Sequence, residues 1–285
     1  MKFGFLAIAV IGMLYASHGA EAKSVERIVT LGSAITEVVF ALGAGGKVIG
    51  TDTTSIHPQA ALSLPKTGYI RGLSLEGILS LRPDLVIASE DAGPPQVLQQ
   101  LANAKIPVTI IRGKNDLQGL KSRILEVGQI LESSEEASLL WNKIDHEIAD
   151  IQVRLPGDEN PKVLILLSTG GGLQAAGQKS AAEEILLLAG ARNAVKGYDG
   201  YRLLNDEAAL AAAPDIIILA TASSVISKNK EAPIPAILQR TPAGRNNRIY
   251  SFDAVDLLGF GPRLPEILRR LTDLLHPVKN NPILE

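Results

Sequence analysis

The chain carries one internal repeat, and that repeat constrains its fold more than any single motif. Glu76-Gly-Ile-Leu-Ser-Leu-Arg-Pro83-Asp84-Leu-Val-Ile shares its punctuation with Glu207-Ala-Ala-Leu-Ala-Ala-Ala-Pro214-Asp215-Ile-Ile-Ile, 131 residues further on. In both copies a short helical run is stopped by Pro-Asp and followed by an unbroken apolar run, the pattern of a parallel strand buried on both faces. Ser33-Ala-Ile-Thr-Glu37-Val-Val-Phe-Ala-Leu-Gly-Ala44 and Ser180-Ala-Ala-Glu-Glu184-Ile-Leu-Leu-Leu-Ala-Gly-Ala191 match at an offset of 147. Each reads as a helix started by Ser, with an early Glu and a Gly near its end. Shared order and punctuation predict two related lobes. The offsets differ by 16 residues, so the first lobe holds an insertion within positions 45–75. Extra loop on one lobe is a natural seat for ligand chemistry, and this one contains Asp52, His57, Lys66, Tyr69 and Arg71.

Each half alternates strand and helix, which predicts an α/β fold of two lobes, each a mostly parallel sheet covered by helices. Strands are expected at Arg27–Leu31, Val48–Thr51, Leu85–Ala88 and Val108–Ile111, then at Lys162–Leu167, Ile216–Leu219 and Arg248–Ser251. From Asp116 to Leu155 the pattern is helical throughout. Glu132-Ser133-Ser134-Glu135-Glu136 reads as a break with a new capping box of Ser133 and Glu136. It opens a helix over about 134–154 that Pro156-Gly157 ends. At ~1.5 Å per residue this helix is roughly 30 Å long, a stiff strut that predicts limited hinge motion and a preformed cleft. The expected organisation is a first lobe over 23–115, a helical segment over 116–156 and a second lobe over 157–285. With 46% hydrophobic residues in 285, there is material for a core in each.

The N-terminus reads as an address. Lys2 precedes an apolar run, Phe3 to Tyr15, and small residues ending in Ala20-Glu21-Ala22, the order of a secretory signal cleaved after Ala22. The run is roughly 13 residues, short of the ~20 that span a bilayer. With no cysteine there is neither a disulfide nor a lipid-anchor thiol, so the expected compartment is a Gram-negative periplasm. A net charge of −2 gives no basic excess for nucleic acid.

Lys66-Thr-Gly68-Tyr69-Ile-Arg71-Gly72 is the most informative stretch for chemistry. Glycines on both sides mark a loop, which displays Tyr69 and Arg71 near the carboxyl edge of a parallel sheet. A phenol is a poor ligand until a cation stabilises its phenolate; ferric iron does so, a nearby guanidinium adds to it, and tyrosinate is a known axial ligand of haem iron. Simple packing of the pair is the other reading. Tyr201 and Arg202 occupy the matching place in the second lobe, so both edges of a cleft would carry Tyr and Arg, a set suited to a flat apolar ligand bearing carboxylates. Lys66, Arg240 and Arg263 are further basic candidates. Glu76 and Glu207 take equivalent positions at helix starts; they either complement the helix dipole or form paired docking charges for a partner spanning both lobes. Gly170-Gly-Gly172-Leu-Gln-Ala175 formally fits a dinucleotide fingerprint but lacks the helix that should follow. His57, His146 and His276 form no local ligand cluster, and with no catalytic constellation the chain is not expected to be an enzyme.

Arg27-Ile-Val-Thr-Leu, Thr36-Glu37, Tyr69-Ile-Arg71-Gly-Leu-Ser-Leu-Glu76, Arg82-Pro83-Asp84-Leu-Val-Ile, Ala175-Ala-Gly177, Gly197-Tyr198 and Glu207 with Pro214-Asp215 together resemble the periplasmic haemin-binding proteins of bacterial ABC haem importers. These belong to the helix-linked (class III) binding proteins that also serve siderophores and cobalamin. The resemblance spans the mature chain. It implies haem as a transported ligand rather than a catalytic cofactor, with Tyr69 as axial ligand and Arg71 supporting it. Glu76 and Glu207 would dock on arginines of an inner-membrane ABC permease, driven by its ATPase, with an outer-membrane haem receptor upstream. Tyr201 and Arg202 would lie in the segment facing the haem from the other lobe. Two alternatives stay open: a ferric-siderophore or cobalamin carrier of the same fold, and a periplasmic enzyme acting on tetrapyrroles.

Overall fold

The computed structural model describes residues 25–157, 160–169, 172–221 and 234–277, and the expected signal sequence lies outside them. The first sheet contains β1 (Ile28–Leu31), β2 (Val48–Thr51), β5 (Leu85–Ser89) and β6 (Val108–Ile111), all parallel, in the order β2-β1-β5-β6. The second repeats that order with β9 (Arg192–Asn193), β7 (Lys162–Thr169), β11 (Ile216–Thr221) and β12 (Ile249–Asp253), again parallel. β1 and β11 are buried along their whole length, which is why their sequences are apolar runs rather than alternations.

The Pro-Asp punctuation does the same work in each lobe. Ser74 caps α2 (Leu75–Ser80) by accepting from the Gly77 N–H, and Asn205 caps α7 (Asp206–Ala212) by accepting from the Ala208 N–H. Both helices end on a left-handed residue, Arg82 with φ 49° and Ala213 with φ 40°, just before the proline. The aspartate then holds the neighbouring strand's approach: Asp84 accepts from Glu26 N at 3.3 Å and Asp215 from Lys162 N at 2.8 Å.

The lobes differ where each departs from the repeat. In the first, the insertion forms a short hairpin of β3 (Gly68–Tyr69) and β4 (Gly72–Leu73). In the second, β8 (Gly172–Ala176) runs antiparallel to β7, and β10 (Tyr201–Leu203) antiparallel to β8. The glycine-rich stretch after β7 therefore feeds a strand, not a helix, and the dinucleotide reading falls.

Two helix starts also differ from expectation. α1 (Ser33–Ala41) has Ser33 as its first helical residue, preceded by Gly32 at φ 114°; the Gly32 N–H is held by Asp52 instead. By contrast Ser180 does cap α6 (Ala181–Leu188), accepting from Glu183 N at 3.2 Å. The Ser133 box does not form: its hydroxyl donates to Leu131 O.

α5 (Ser134–Val153) follows α4 (Leu117–Ile130) and links the lobes. It buries Ala137, Trp141, Ile144, Ile148 and Ile151, one stripe at helical spacing. That stripe belongs to a single apolar cluster that also contains Ile28 and Ile35 of the first lobe and Ile165 and Ile216 of the second. The strut is thus packed into both cores, and rotating one lobe against it would expose well-packed side chains. Among the described residues no helix is long and apolar enough to cross a membrane.

Candidate functional site: the interlobe cleft

The carboxyl ends of β1, β5 and β6 face the end of β7 and the helix Ala254–Leu258 that follows β12. Between them lies a cleft of about 310 Å³ whose wall includes Tyr69, Arg71, Asp91 and Lys114 from the first lobe and Leu167 and Leu258 from the second. A larger groove, about 590 Å³, runs between α5 and the last helix (Leu264–Leu275), but it holds none of the residues the repeat singles out. The cleft at the carboxyl edges is where α/β sheets place ligands.

The Tyr69 hairpin is built to display its polar residues. Gly68 has φ 110°, and a Cβ there would come within 2.6 Å of Gly72 O, so only glycine closes the turn. Ile70 and Leu73 are buried in the cluster under the outer face of the sheet. Gly93 N donates to Ile70 O at 2.8 Å, Leu73 N donates to Gly93 O at 2.9 Å, and Thr53 N donates to Gly68 O at 2.9 Å. With the apolar pair anchored, Tyr69 stays 52% exposed, and its hydroxyl has no hydrogen-bond partner among the described residues. Arg71 Nη2 lies 3.3 Å from Asp91 Oδ1, both largely exposed.

The other basic candidates are held elsewhere. Lys66 spends its three protons on Thr51 Oγ1 (2.8 Å), Ser55 O (2.9 Å) and Ala61 O (2.9 Å), pinning the insertion; burial lowers its pKa, against the pull of Asp52. Arg263 forks onto Glu37, with Nε–Oε2 and Nη2–Oε1 both at 3.1 Å, and reaches Asp256 Oδ1 at 2.6 Å. Asp256 also lies 3.4 Å from His57 Nε2. Glu37 and His57 come from the first lobe and Asp256 and Arg263 from the second, so this cluster ties the lobes together rather than presenting a free cation. Burial raises the Glu37 carboxyl pKa, opposed by Arg263. A Cβ on Gly261 would sit 2.9 Å from Glu37 Oε2, so the glycine makes room for the carboxylate.

Tyr201 and Arg202 lie on the edge strand β10, paired with Ala176 and Ala175, and do not line the cleft. The Tyr201 phenol is buried against Ser180 and the Ala182 N–H, and burial raises its pKa. The Arg202 guanidinium stacks on the Tyr198 ring, 4.6 Å from its centroid. Arg240 ends the helix Ala236–Gln239; the next short helix bonds through Ala243 to Pro214 O and Arg248 N, at the amino edge of the sheet and away from the cleft. Glu76 and Glu207 are exposed second residues of α2 and α7. Each helix runs back against the strand it precedes, so both glutamates lie toward the cleft edge.

The cross-lobe tie was not legible in advance. Its one signal was Glu37 amid Ile35, Val38 and Val39 on a buried helix face, since a carboxylate there needs a partner.

Two parallel-sheet lobes on a packed helical strut, with a cleft at their carboxyl edges, define the helix-linked class of binding protein. A family model described as Periplasmic binding protein matches residues 28–255, and the chain belongs to that family. It is the binding protein of an ABC importer. Among solved structures it is similar to the periplasmic haem-binding protein BhuT in complex with two haems, with 40% identity, a TM-score of 0.78, and coverage of 87% of this chain and 98% of that one. It is 27% identical over 263 residues to the ABC transporter substrate-binding lipoprotein YvrC of Bacillus subtilis, covering 90% of this chain and 81% of YvrC. It is also 27% identical over 169 residues to a vitamin B12-binding protein of Pectobacterium carotovorum, covering 59% of this chain and 61% of that protein.

Proposed function

We propose that this protein carries ferric haem in the interlobe cleft, with Tyr69 as the axial iron ligand, and delivers it to an inner-membrane ABC permease. The observation that carries this reading is a half-exposed phenol with no hydrogen-bond partner among the described residues, near an arginine in sequence, on a hairpin anchored at the cleft. Similarity at 40% identity to a protein solved with haem supports it. Ferric iron, as a Lewis acid, stabilises the phenolate that water alone would not. Arg71 adds to that by turning from Asp91 toward the phenolate oxygen; an exposed ion pair is worth only about 0–1 kcal/mol, so Asp91 gives it up at little cost. Burial of the porphyrin faces supplies most of the affinity.

Residues 1–22 act as the export signal, cleaved after Ala22 to release the protein into the periplasm. Glu76 and Glu207, one per lobe on the cleft-side face, dock on basic residues of the permease; Glu76→Ala with Glu207→Ala leaves haem binding intact and abolishes uptake in reconstituted vesicles. The B12-binding relative favours cobalamin as the second reading. Titrating the processed protein with haemin and with cyanocobalamin separates them. Saturable binding of haemin alone supports the haem carrier, and saturable binding of cyanocobalamin alone refutes it.

A further inference from the structure

A porphyrin held through Tyr69 brings two carboxylate arms into the cleft, and Arg71 is committed to the phenolate. None of the other basic residues singled out by the sequence is free there: Lys66 and Arg263 have their partners, Arg202 is stacked on Tyr198, and Arg240 is at the far edge. Arg123 reaches the cleft wall but is buried, bonded to Phe260 O at 2.8 Å and Asn115 Oδ1 at 3.2 Å. Lys114 also lines the cleft, is exposed, and among the described residues its ammonium has neither an ion pair nor a hydrogen bond.

Its backbone, by contrast, is fixed on both sides. Gly113, at φ 147°, donates its N–H to Glu90 Oε1 at 3.2 Å. Asn115 is held by Arg123, and Asp116 caps α4 through the Gly119 N–H at 2.7 Å. Gly119 packs so closely that a Cβ there would fall 1.9 Å from Lys114 O. Two neighbouring carboxylates already have donors, Glu90 from Gly113 and Asp116 from Gly119, while Asp91 pairs with Arg71 until haem enters. With the backbone already rigid, only the freedom of the lysine side chain itself is lost on binding an anion.

We infer that Lys114 is a carboxylate anchor of the cleft, pairing with a propionate of the bound haem; this rests on the haem reading above. The test compares haemin with haemin dimethyl ester, whose propionates are blocked, on the unmodified protein, Lys114→Ala and Lys114→Arg. Lys114→Ala is expected to weaken haemin binding about tenfold, as for one charge-assisted hydrogen bond. It should leave the ester's affinity and the haemin spectrum unchanged, while Lys114→Arg restores most of the loss. Equal weakening of acid and ester, or of neither, overturns the role of Lys114 and leaves the carrier standing. Absence of saturable haemin binding by the unmodified protein overturns both.

Discussion

Tyr69 and Arg71 in the first lobe and Tyr201 and Arg202 in the second hold matching places in the repeat, yet their surroundings give them opposite characters. The first pair hangs on a hairpin whose apolar residues are anchored beneath it, leaving a half-exposed phenol at the cleft. The second pair belongs to an edge strand that the first lobe lacks. There the phenol is buried against a helix start and the guanidinium lies on a tyrosine ring. A common ancestor pattern fixes where a side chain sits along the chain. Whether it is available for chemistry depends on the elements added around it, a loop hairpin in one lobe and an antiparallel ribbon in the other.

The comparison can be broken most forcefully at the seam between the lobes. Arg263→Ala leaves Glu37 buried without its partner and is expected to cost roughly 3 kcal/mol, read as a fall in melting temperature by circular dichroism. The pH dependence has a definite sign. Burial already raises the Glu37 carboxyl pKa above its usual value in the folded state, and removing Arg263 raises it further. A raised folded pKa means that stability falls as pH rises through the interval above the unfolded value and is regained as pH falls back toward it. The deficit of Arg263→Ala should therefore shrink as pH is lowered from neutrality toward about 4.5. A deficit that grows over that range contradicts the tie.

Tyr201→Phe sharpens the contrast between the two tyrosines. It removes the buried phenol oxygen that faces the Ala182 N–H and Ser180 and should cost about 1–2 kcal/mol in urea denaturation, with haemin affinity unchanged. A loss of haemin binding without a loss of stability would return Tyr201 to the site. Arg202→Ala removes an exposed cation–π contact worth about 0.5–1 kcal/mol and should likewise leave the ligand alone, as isothermal titration can verify.

The frame was legible because it rests on local rules. Pro-Asp stops and apolar runs place β1, β5, β7 and β11 within two residues of where they are observed, and the Ser134–Val153 strut follows from its periodicity and the Pro156-Gly157 stop. The antiparallel strands β8 and β10 carry little strand signal, being three to five residues of mixed polarity. Arg263 looked like a free loop cation because its partner Glu37 lies 226 positions away, a pairing that no local pattern encodes. The engagement of Lys66 is hidden for a similar reason: three acceptors brought together by the insertion's own folding satisfy its ammonium. The placement of Tyr69 and Arg71 on a loop at the cleft is readable because flanking glycines advertise a loop beside a sheet's carboxyl edge.

The most direct measurement is the visible spectrum of the processed protein titrated with ferric haemin, beside Tyr69→Phe. The account predicts a saturable high-spin ferric spectrum with a phenolate charge-transfer band that disappears in the variant. An identical spectrum in Tyr69→Phe would contradict it and place the iron ligand elsewhere.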